Sequence, residues 1–155
     1  MKLYLVQHGD AVPKDENPER PLSDKGRTDV QRMASFLARG GVRVARVVHS
    51  GKVRARDTGA LLSQVLGPAG VVEEAAVGLG PDDSPERLAE AIAGWTEDVM
   101  VVGHMPAMGK LVSHLAAGNE DVGAVALVPG TVVCLEKAGD DWAVNWMVRP
   151  ELLGG

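Results

Sequence analysis

The sequence predicts an α/β fold, a three-layer α/β/α sandwich whose mostly parallel sheet carries an antiparallel hairpin at one edge. Short apolar runs rich in β-branched residues alternate with stretches of helical periodicity along most of the chain. Within these runs polar and apolar residues do not alternate, which is typical of strands covered by helices on both faces. Two longer β-type segments close the chain and predict the hairpin.

Four short apolar runs are predicted as the central strands. They cover residues 2–6, 45–49, 71–72 and 99–102. Each of the first two is followed by a segment of helical periodicity, so the strands are expected to run parallel, with helices as the crossover connections.

Four helices are predicted between and after these strands. The first covers residues 24–39, with Ser23 placed to cap it, and the second covers residues 52–66. The third begins at the letters DSPERLAEAI, where Ser84 caps and Pro85 occupies the first turn. The fourth follows Pro106.

The C-terminal part predicts two hairpin strands, residues 124–136 and 142–148, joined by the letters AGDD. Trp142 and Trp146 are four residues apart in the second of them. Side chains alternate between the two faces of a strand, so both indoles are expected to lie on the same face.

Length and composition indicate a single cytoplasmic domain spanning residues 1–155. Hydrophobic residues make up 45% of the chain and charged residues 24%, and no apolar stretch reaches the roughly 20 residues of a membrane span. The net charge of −5 argues against nucleic acid or an anionic membrane as the main partner. Cys134 is the only cysteine, which fits a reducing compartment, and we interpret it as a small buried hydrophobe. We expect a monomer.

Chemistry-bearing side chains follow three of the predicted parallel strands. His8 follows the first, Ser50 and then Arg54 and Arg56 follow the second, and His104 follows the fourth. Ligands of such folds lie beyond the carboxyl ends of the strands, so these residues are expected to converge. Two histidines, arginines and helix N-termini form a cationic pocket that suits a phosphoryl group. A P-loop motif is absent, and no residues have metal-ligand spacing, so we expect neither P-loop nucleotide chemistry nor a metal or other cofactor.

Several ordered motifs carry a resemblance to a known family. The letters QHGDA, RPLSDKG, SGKVRARDT and VVGHMP occur in this order. They resemble the histidine phosphatase superfamily, whose signature is Arg-His-Gly after the first strand, and especially its small SixA-type phosphohistidine phosphatases. Arg20-Pro21-Leu22, GLGPDDSP and NWMVRPELL match further segments of that branch. The resemblance covers essentially the whole chain and implies a phosphoglycerate mutase-like fold without the long insertions of other branches.

The resemblance also implies roles for individual residues. His8 would be the nucleophile that carries the phosphoryl group, and His104 would stabilise the transferred group. Phosphate would be bound by Gln7, Gly9, Arg20 and Arg54. The implied substrate is phosphohistidine on a protein, such as a phosphorelay or phosphotransferase carrier. A neutral imidazole is a competent nucleophile near pH 7.

The chain departs from the family pattern at its first motif, where Gln7 replaces the arginine. Glutamine can donate a hydrogen bond to phosphate but brings no charge. The proton donor is also open, with Asp10, Asp82 and Asp83 as candidates. Because imidazole leaves more easily than an alkoxide, a weak acid fits a P–N substrate better than a phosphate ester. Met105, after the second histidine, is interpreted as a change in the pocket wall.

Two other functions stay open at this point. One is a small-molecule phosphatase with the same site, although the short loops offer no lid. The other is a phosphohistidine-binding module that has lost catalysis because of Gln7. His49 and His114 are predicted to be structural.

Overall fold

The computed structural model describes residues 1–154 and has a six-stranded sheet with two helices on each face. Its elements are β1 (Lys2–Gln7), α1 (Asp24–Arg39), β2 (Arg46–His49), α2 (Val53–Leu66), β3 (Glu73–Glu74), α3 (Pro85–Ala93), β4 (Val99–Gly103), α4 (Ala107–Ala117), β5 (Val132–Ala138) and β6 (Asp141–Val148). A short 3₁₀ helix, Pro150–Leu153, follows β6.

The strand order is β3-β2-β4-β1-β5-β6. The strands β3, β2, β4 and β1 pair in parallel, whereas β5 pairs antiparallel with β1 and with β6. The predicted α/β fold, with a mostly parallel sheet and an antiparallel edge hairpin, is therefore confirmed.

Two apolar cores lie on opposite faces of the sheet. One joins the sheet to α1 and α2 and includes Met33, Leu37, Leu62 and Leu66. The other joins the sheet to α3 and α4 and includes Leu88, Ile92 and Leu111. Alternate residues of β1, such as Tyr4 and Leu5, enter opposite cores. This explains why the strands are apolar on both faces and confirms the three layers.

The helix starts follow the predicted capping residues. The Ser23 side chain accepts a hydrogen bond from the backbone N–H of Gly26 at the start of α1. Ser84 accepts one from Glu86 at the start of α3, with Pro85 as the first helical residue. The second helix begins at Val53, one residue later than predicted, because Lys52 is its cap.

The prediction of a strand at residues 71–72 is wrong. The strand β3 lies at Glu73–Glu74, and both of its residues are exposed at the edge of the sheet. Three residues after α2 have positive φ: Gly67, Ala69 and Gly70. This turn delays the pairing of the chain with β2 until Glu73, so Val72 packs against the core without joining the sheet.

The first hairpin strand is shorter than predicted, because residues 124–131 are not a strand. Thr131 closes a turn there, with its N–H donating to the Val128 carbonyl at 3.0 Å and its hydroxyl accepting from the Val128 N–H. Gly130 has a φ of 86°, which only glycine adopts easily. Its N–H donates to the carbonyls of Gln7 and His8, so this turn lies against the end of β1.

Trp142 and Trp146 lie on opposite faces of the sheet, so the prediction that they share a face is wrong. The register between β5 and β6 shifts between Cys134 and Leu135, where a β-bulge adds one residue to β6. Trp146 packs on the core that contains α1, whereas Trp142 packs on the core that contains α3. One extra residue reverses the alternation of faces.

None of the helices described in residues 1–154 is long and apolar enough to cross a membrane.

Candidate active site

The two histidines leave neighbouring strands at the same edge of the sheet. The strands β1 and β4 are parallel, with Gln7 opposite Gly103, so His8 and His104 follow directly on each. The His8 N–H donates to the Gly103 carbonyl at 3.0 Å. The imidazole centroids are 5.0 Å apart, with the rings tilted by 53°. The predicted convergence of His8 and His104 is therefore present.

The hydrogen bonds of His8 define its tautomer. Its Nδ1 lies 2.7 Å from the carbonyl oxygen of Gly9, which can only accept, so Nδ1 carries the proton. The guanidinium Nε of Arg54 donates to Nε2 of His8 at 3.4 Å. Burial lowers the pKa of His8 from 6.5, and the charges of Arg54 and Arg20 lower it further. The imidazole is therefore neutral near pH 7, with an unprotonated Nε2.

Arg54 and Arg20 supply positive charge around this nitrogen. Arg54 lies in the first turn of α2, and burial together with the charge of Arg20 lowers its pKa below the ordinary value of an arginine. Arg20 has a φ of 49°, unusual for a residue with a side chain. Its N–H donates to the Asn17 carbonyl and its Nε to the Val12 carbonyl at 3.1 Å, and these bonds hold the loop in place.

His104 is almost completely buried, with 2% of its surface exposed. Burial lowers its pKa to about 3, and the neighbouring His8, Arg54 and Lys52 add to this effect. Its Nε2 lies 2.6 Å from the hydroxyl oxygen of Ser50, whereas its buried Nδ1 has no hydrogen-bond partner in the described chain. His104 is therefore a neutral ring with one unused nitrogen.

The loop after β1 is closely packed on α1 and α2. A Cβ on Gly9 would lie 2.8 Å from a methyl group of Val30, and a Cβ on Gly26 would overlap the backbone of Asp10. The N–H of Gly9 donates to the Thr58 hydroxyl oxygen at 2.9 Å. In this structure the N–H of Gly9, which is predicted to bind phosphate, donates to Thr58, and the lack of a side chain at Gly9 allows the close packing of the loop.

Gln7 is buried at the end of β1, beside the strand that leads to His104. Its backbone N–H donates to the Thr131 carbonyl at 3.1 Å. Its side-chain Oε1 is buried and has no partner within residues 1–154. An amide at this position adds no charge to the positive groups around His8 and His104, which are Arg54, Arg20 and Lys52.

Among the described residues, the three carboxylates predicted as proton donors make no hydrogen bond to either histidine of the site. Asp10 accepts a hydrogen bond from the Ser23 hydroxyl at 2.6 Å, and Asp83 accepts one from the Gly80 N–H at 2.7 Å. Asp82 is exposed. Only Asp10 is close enough to His8 to affect its pKa.

The remaining singled-out residues lie outside this cluster. His49 is buried and accepts the Gly51 N–H at its Nδ1, which matches its predicted structural role. Cys134 is buried in β5, and burial raises its pKa to about 11, so it is not a thiolate near pH 7. Arg56 pairs with Asp57 at 3.5 Å, and half of its side chain is exposed.

Two hydroxyl side chains contact the cluster, although no function was predicted for either of them from the sequence. Ser50 bonds His104, and Thr58 bonds Gly9. Ser50 follows β2 directly, which was a usable signal. Thr58 lies four residues after Arg54 and so on the same face of α2, a spacing that could have shown its nearness to the site.

The chain is similar in sequence to known proteins. The family model described as "Histidine phosphatase superfamily (branch 1)" matches residues 3–77. An uncharacterized protein of Picosynechococcus sp. is 30% identical over 127 residues, covering 77% of this chain and 75% of that protein. The phosphohistidine phosphatase SixA of Escherichia coli is 27% identical over 158 residues, covering 97% of this chain and 94% of SixA.

Solved structures show the same fold. The structure of the protein histidine phosphatase SixA complexed with tungstate superimposes with a TM-score of 0.86 at 23% identity, covering 99% of both chains. The fold, the ordered motifs and these relatives lead to one conclusion: the chain belongs to the histidine phosphatase superfamily, and within it the chain is similar to SixA.

Proposed function

We propose that this protein is a phosphatase that removes the phosphoryl group from phosphohistidine on another protein, through a covalent intermediate on His8. Its family and its similarity to SixA support a phosphatase of the hydrolase class. The observation that carries the proposal is the unprotonated Nε2 of His8, held by the Gly9 carbonyl and lying beside the Arg54 guanidinium.

The chemistry proceeds in two displacements. The lone pair of His8 Nε2 attacks phosphorus, and the P–N bond to the substrate imidazole breaks with its electrons going to that imidazole, which takes a proton from a water molecule and leaves hydroxide. A second water molecule then attacks the phosphoryl group on His8, and the new P–N bond breaks with its electrons returning to Nε2. The proton released by this water neutralises the hydroxide, and inorganic phosphate leaves. Such transfers have loose transition states, so positioning and cationic stabilisation supply most of the catalysis.

The positive charge around His8 supports this chemistry. The Nε of Arg54 donates to Nε2 of His8 at 3.4 Å, and the charges of Arg54 and Arg20 lower the pKa of His8. Charged donors make the stronger hydrogen bonds to phosphoryl oxygens. The SixA structure with the same fold was solved with tungstate, an oxyanion of related shape.

The positions of the carboxylates favour a phosphohistidine over an alkyl phosphate. An alkoxide leaving group needs a general acid in hydrogen-bonding reach of the site. Asp10 is bonded to Ser23, and Asp83 to Gly80. Imidazole is a far better leaving group, so a site without a dedicated acid suits cleavage of a P–N bond.

Gln7 supports a second candidate, a module that binds phosphohistidine proteins without turnover. Its amide gives the site one charge fewer than the family arginine would. The partner would be the same in both cases, a phosphorelay or phosphotransferase carrier protein. The single-domain organisation, the monomeric state and the cytoplasmic location are predictions from the sequence alone.

The test is phosphate release from a carrier protein phosphorylated on histidine. We expect turnover by the wild type, none by His8→Ala, and normal turnover by His114→Ala, which changes a half-buried histidine on α4. A wild type that binds the phosphorylated carrier but releases no phosphate would favour the binding module. Turnover by His8→Ala at the wild-type rate would reject His8 as the nucleophile.

A further inference from the structure

The two ring nitrogens of His104 have unequal surroundings. Nε2 lies 2.6 Å from the Ser50 hydroxyl, a short hydrogen bond. Nδ1 is buried and has no partner in the part of the chain that the structure describes. Buried polar atoms are nearly always paired, so an unpaired nitrogen beside the proposed nucleophile needs an explanation.

The other contact of the Ser50 hydroxyl leaves its proton available for the bond to His104. The backbone N–H of Lys52 points to the Ser50 oxygen at 3.4 Å, and this N–H can only donate. A hydroxyl oxygen can accept two hydrogen bonds, so this contact permits either direction for the bond to His104. When Ser50 donates, Nε2 of His104 is the acceptor and the ring proton lies on Nδ1.

The charge of the ring removes the alternative in which both nitrogens carry protons. The positive groups near His104 come from separate elements: Arg54 from α2, Lys52 from the turn before it, and Arg20 from the loop after β1. Together with burial they keep the imidazole neutral over the working pH range. A neutral imidazole has one N–H, which lies on Nδ1 when Nε2 accepts from Ser50.

An N–H buried without an acceptor is costly unless a ligand completes it. His104 lies next to His8, with ring centroids 5.0 Å apart. A phosphoryl group on His8 would bring oxygens, which are acceptors, into this space. The unpaired Nδ1–H is therefore suited to an oxygen of the group being transferred.

We propose that Ser50 is a positioning residue that holds His104 in its Nδ1–H tautomer, so that Nδ1–H is the donor to the phosphoryl group. This inference rests on the proposed function for the identity of the ligand. The choice of tautomer rests on it too, because an unprotonated Nδ1 could not donate to a phosphoryl oxygen. His104 then acts as a neutral hydrogen-bond donor throughout the reaction and not as an acid.

The first test measures the tautomer by ¹⁵N NMR of the histidine side chains in the whole, ligand-free protein at pH 7. We expect the wild-type His104 to carry its proton on Nδ1. In Ser50→Ala the ring should shift toward the Nε2–H form that free histidine favours, whereas Ser50→Thr should keep the wild-type pattern. A wild-type ring protonated on Nε2, or a tautomer unchanged in Ser50→Ala, would overturn the proposal.

The second test adds inorganic phosphate and follows the same signals. Phosphate should shift the His104 Nδ1–H resonance, and Ser50→Ala should bind it about tenfold more weakly, the loss expected for a hydrogen bond to a charged group. Ser35→Ala, an exposed serine on α1, is the matched control and should bind as the wild type does. Phosphate binding that leaves the His104 resonances unmoved would contradict a role for Nδ1–H.

These measurements separate the inference from the proposed function. The tautomer of the free protein is defined whether or not the protein turns over phosphohistidine. If turnover fails while the tautomer depends on Ser50, the proposed reaction is wrong and the positioning role stands. If turnover succeeds but the His104 tautomer is the same in Ser50→Ala as in the wild type, the positioning role is wrong.

Discussion

The hydroxyl of Thr58 joins Gly9, the residue after the proposed nucleophile, to the helix that carries Arg54. It accepts the Gly9 N–H at 2.9 Å and donates to the Arg54 carbonyl at 2.7 Å. Thr58 is completely buried. The carbonyl of the same Gly9 holds Nδ1 of His8, so the Thr58 side chain, 49 residues from Gly9 in sequence, connects the loop of His8 with the helix of Arg54.

Thr58→Val should therefore reduce both stability and turnover. The variant keeps the shape of the side chain but leaves the Gly9 N–H buried without an acceptor. We expect the free energy of unfolding, measured by urea denaturation, to fall by about 1–3 kcal/mol. We also expect kcat on a phosphohistidine protein to fall, because His8 is no longer held at its distance from Arg54.

Thr58→Ser is the control, since it keeps the hydroxyl and loses only a methyl group. It should retain more of the kcat than Thr58→Val. Equal loss of kcat in the two variants would show that the methyl group, and not the hydrogen bond, is what matters at this position.

Gly26→Ala should disturb the loop that carries His8. A Cβ at Gly26 would overlap the backbone of Asp10, two residues after the nucleophile. Because neither α1 nor the loop can move freely, we expect a loss of about 1–3 kcal/mol in the free energy of unfolding, together with lower activity.

Gly40→Ala tests whether the effect is specific to that contact. Gly40 follows the same helix, has a φ of −77°, and would place a Cβ no closer than 3.4 Å to another atom. This variant should unfold at nearly the wild-type urea concentration. A similar loss in both variants would indicate a general effect on α1.

Acidification should destabilise the protein through its buried histidines. His104 has a pKa of about 3 in the folded protein, against about 6.5 when unfolded. Between these values the unfolded chain binds a proton that the folded chain does not, so stability falls as the pH is lowered below 6.5. The slope approaches about 1.4 kcal/mol per pH unit for each such histidine.

His104→Asn should reduce this pH dependence. Urea unfolding between pH 7 and pH 5, above the range in which most carboxylates titrate, isolates the contribution of the histidines. The wild type should lose more stability over this interval than His104→Asn, while His114→Asn should follow the wild type. Parallel curves for the wild type and His104→Asn would contradict the lowered pKa.

Gln7→Arg should change the turnover of a working enzyme only modestly. Arg54 and Arg20 already supply charge, and a charged hydrogen bond is worth about 1 kcal/mol more than a neutral one, or about fivefold in rate. Steady-state kcat/KM on a phosphohistidine protein measures the change, with the exposed Gln31→Arg as a control of equal charge. A gain from no detectable turnover to a clear rate would identify the native chain as a binding module.

The fold was largely predictable because each strand and helix carries its own local signal. Ser23 and Ser84 mark helix starts, and both cap their helices as expected. The convergence of His8 with His104 followed from a general rule, that the carboxyl ends of parallel strands share one edge of a sheet. Their positions in the sequence therefore sufficed to bring them together.

The rest depended on tertiary contacts that leave little trace in the local pattern. The apolar residues 124–128 look like a strand, but the turn closed by Thr131, which lies against the end of β1, separates them from β5. The bonds of Ser50 and Thr58 join segments about 50 residues apart, which no local periodicity reveals. The hydrogen bond from the Ser23 hydroxyl to the Asp10 carboxylate could not be predicted from the sequence for the same reason.

The bulge between β5 and β6 affects how readily two copies of this protein can associate through the edges of their sheets. The strand β6 forms the outer edge of the sheet, and a flat, regular edge is a template on which another chain can add a strand and begin to aggregate. The extra residue that separates the faces of Trp142 and Trp146 also twists this edge and interrupts its hydrogen-bonding register. An incoming strand could not form a continuous ladder of backbone hydrogen bonds with β6, so the bulge protects the sheet from edge-to-edge association.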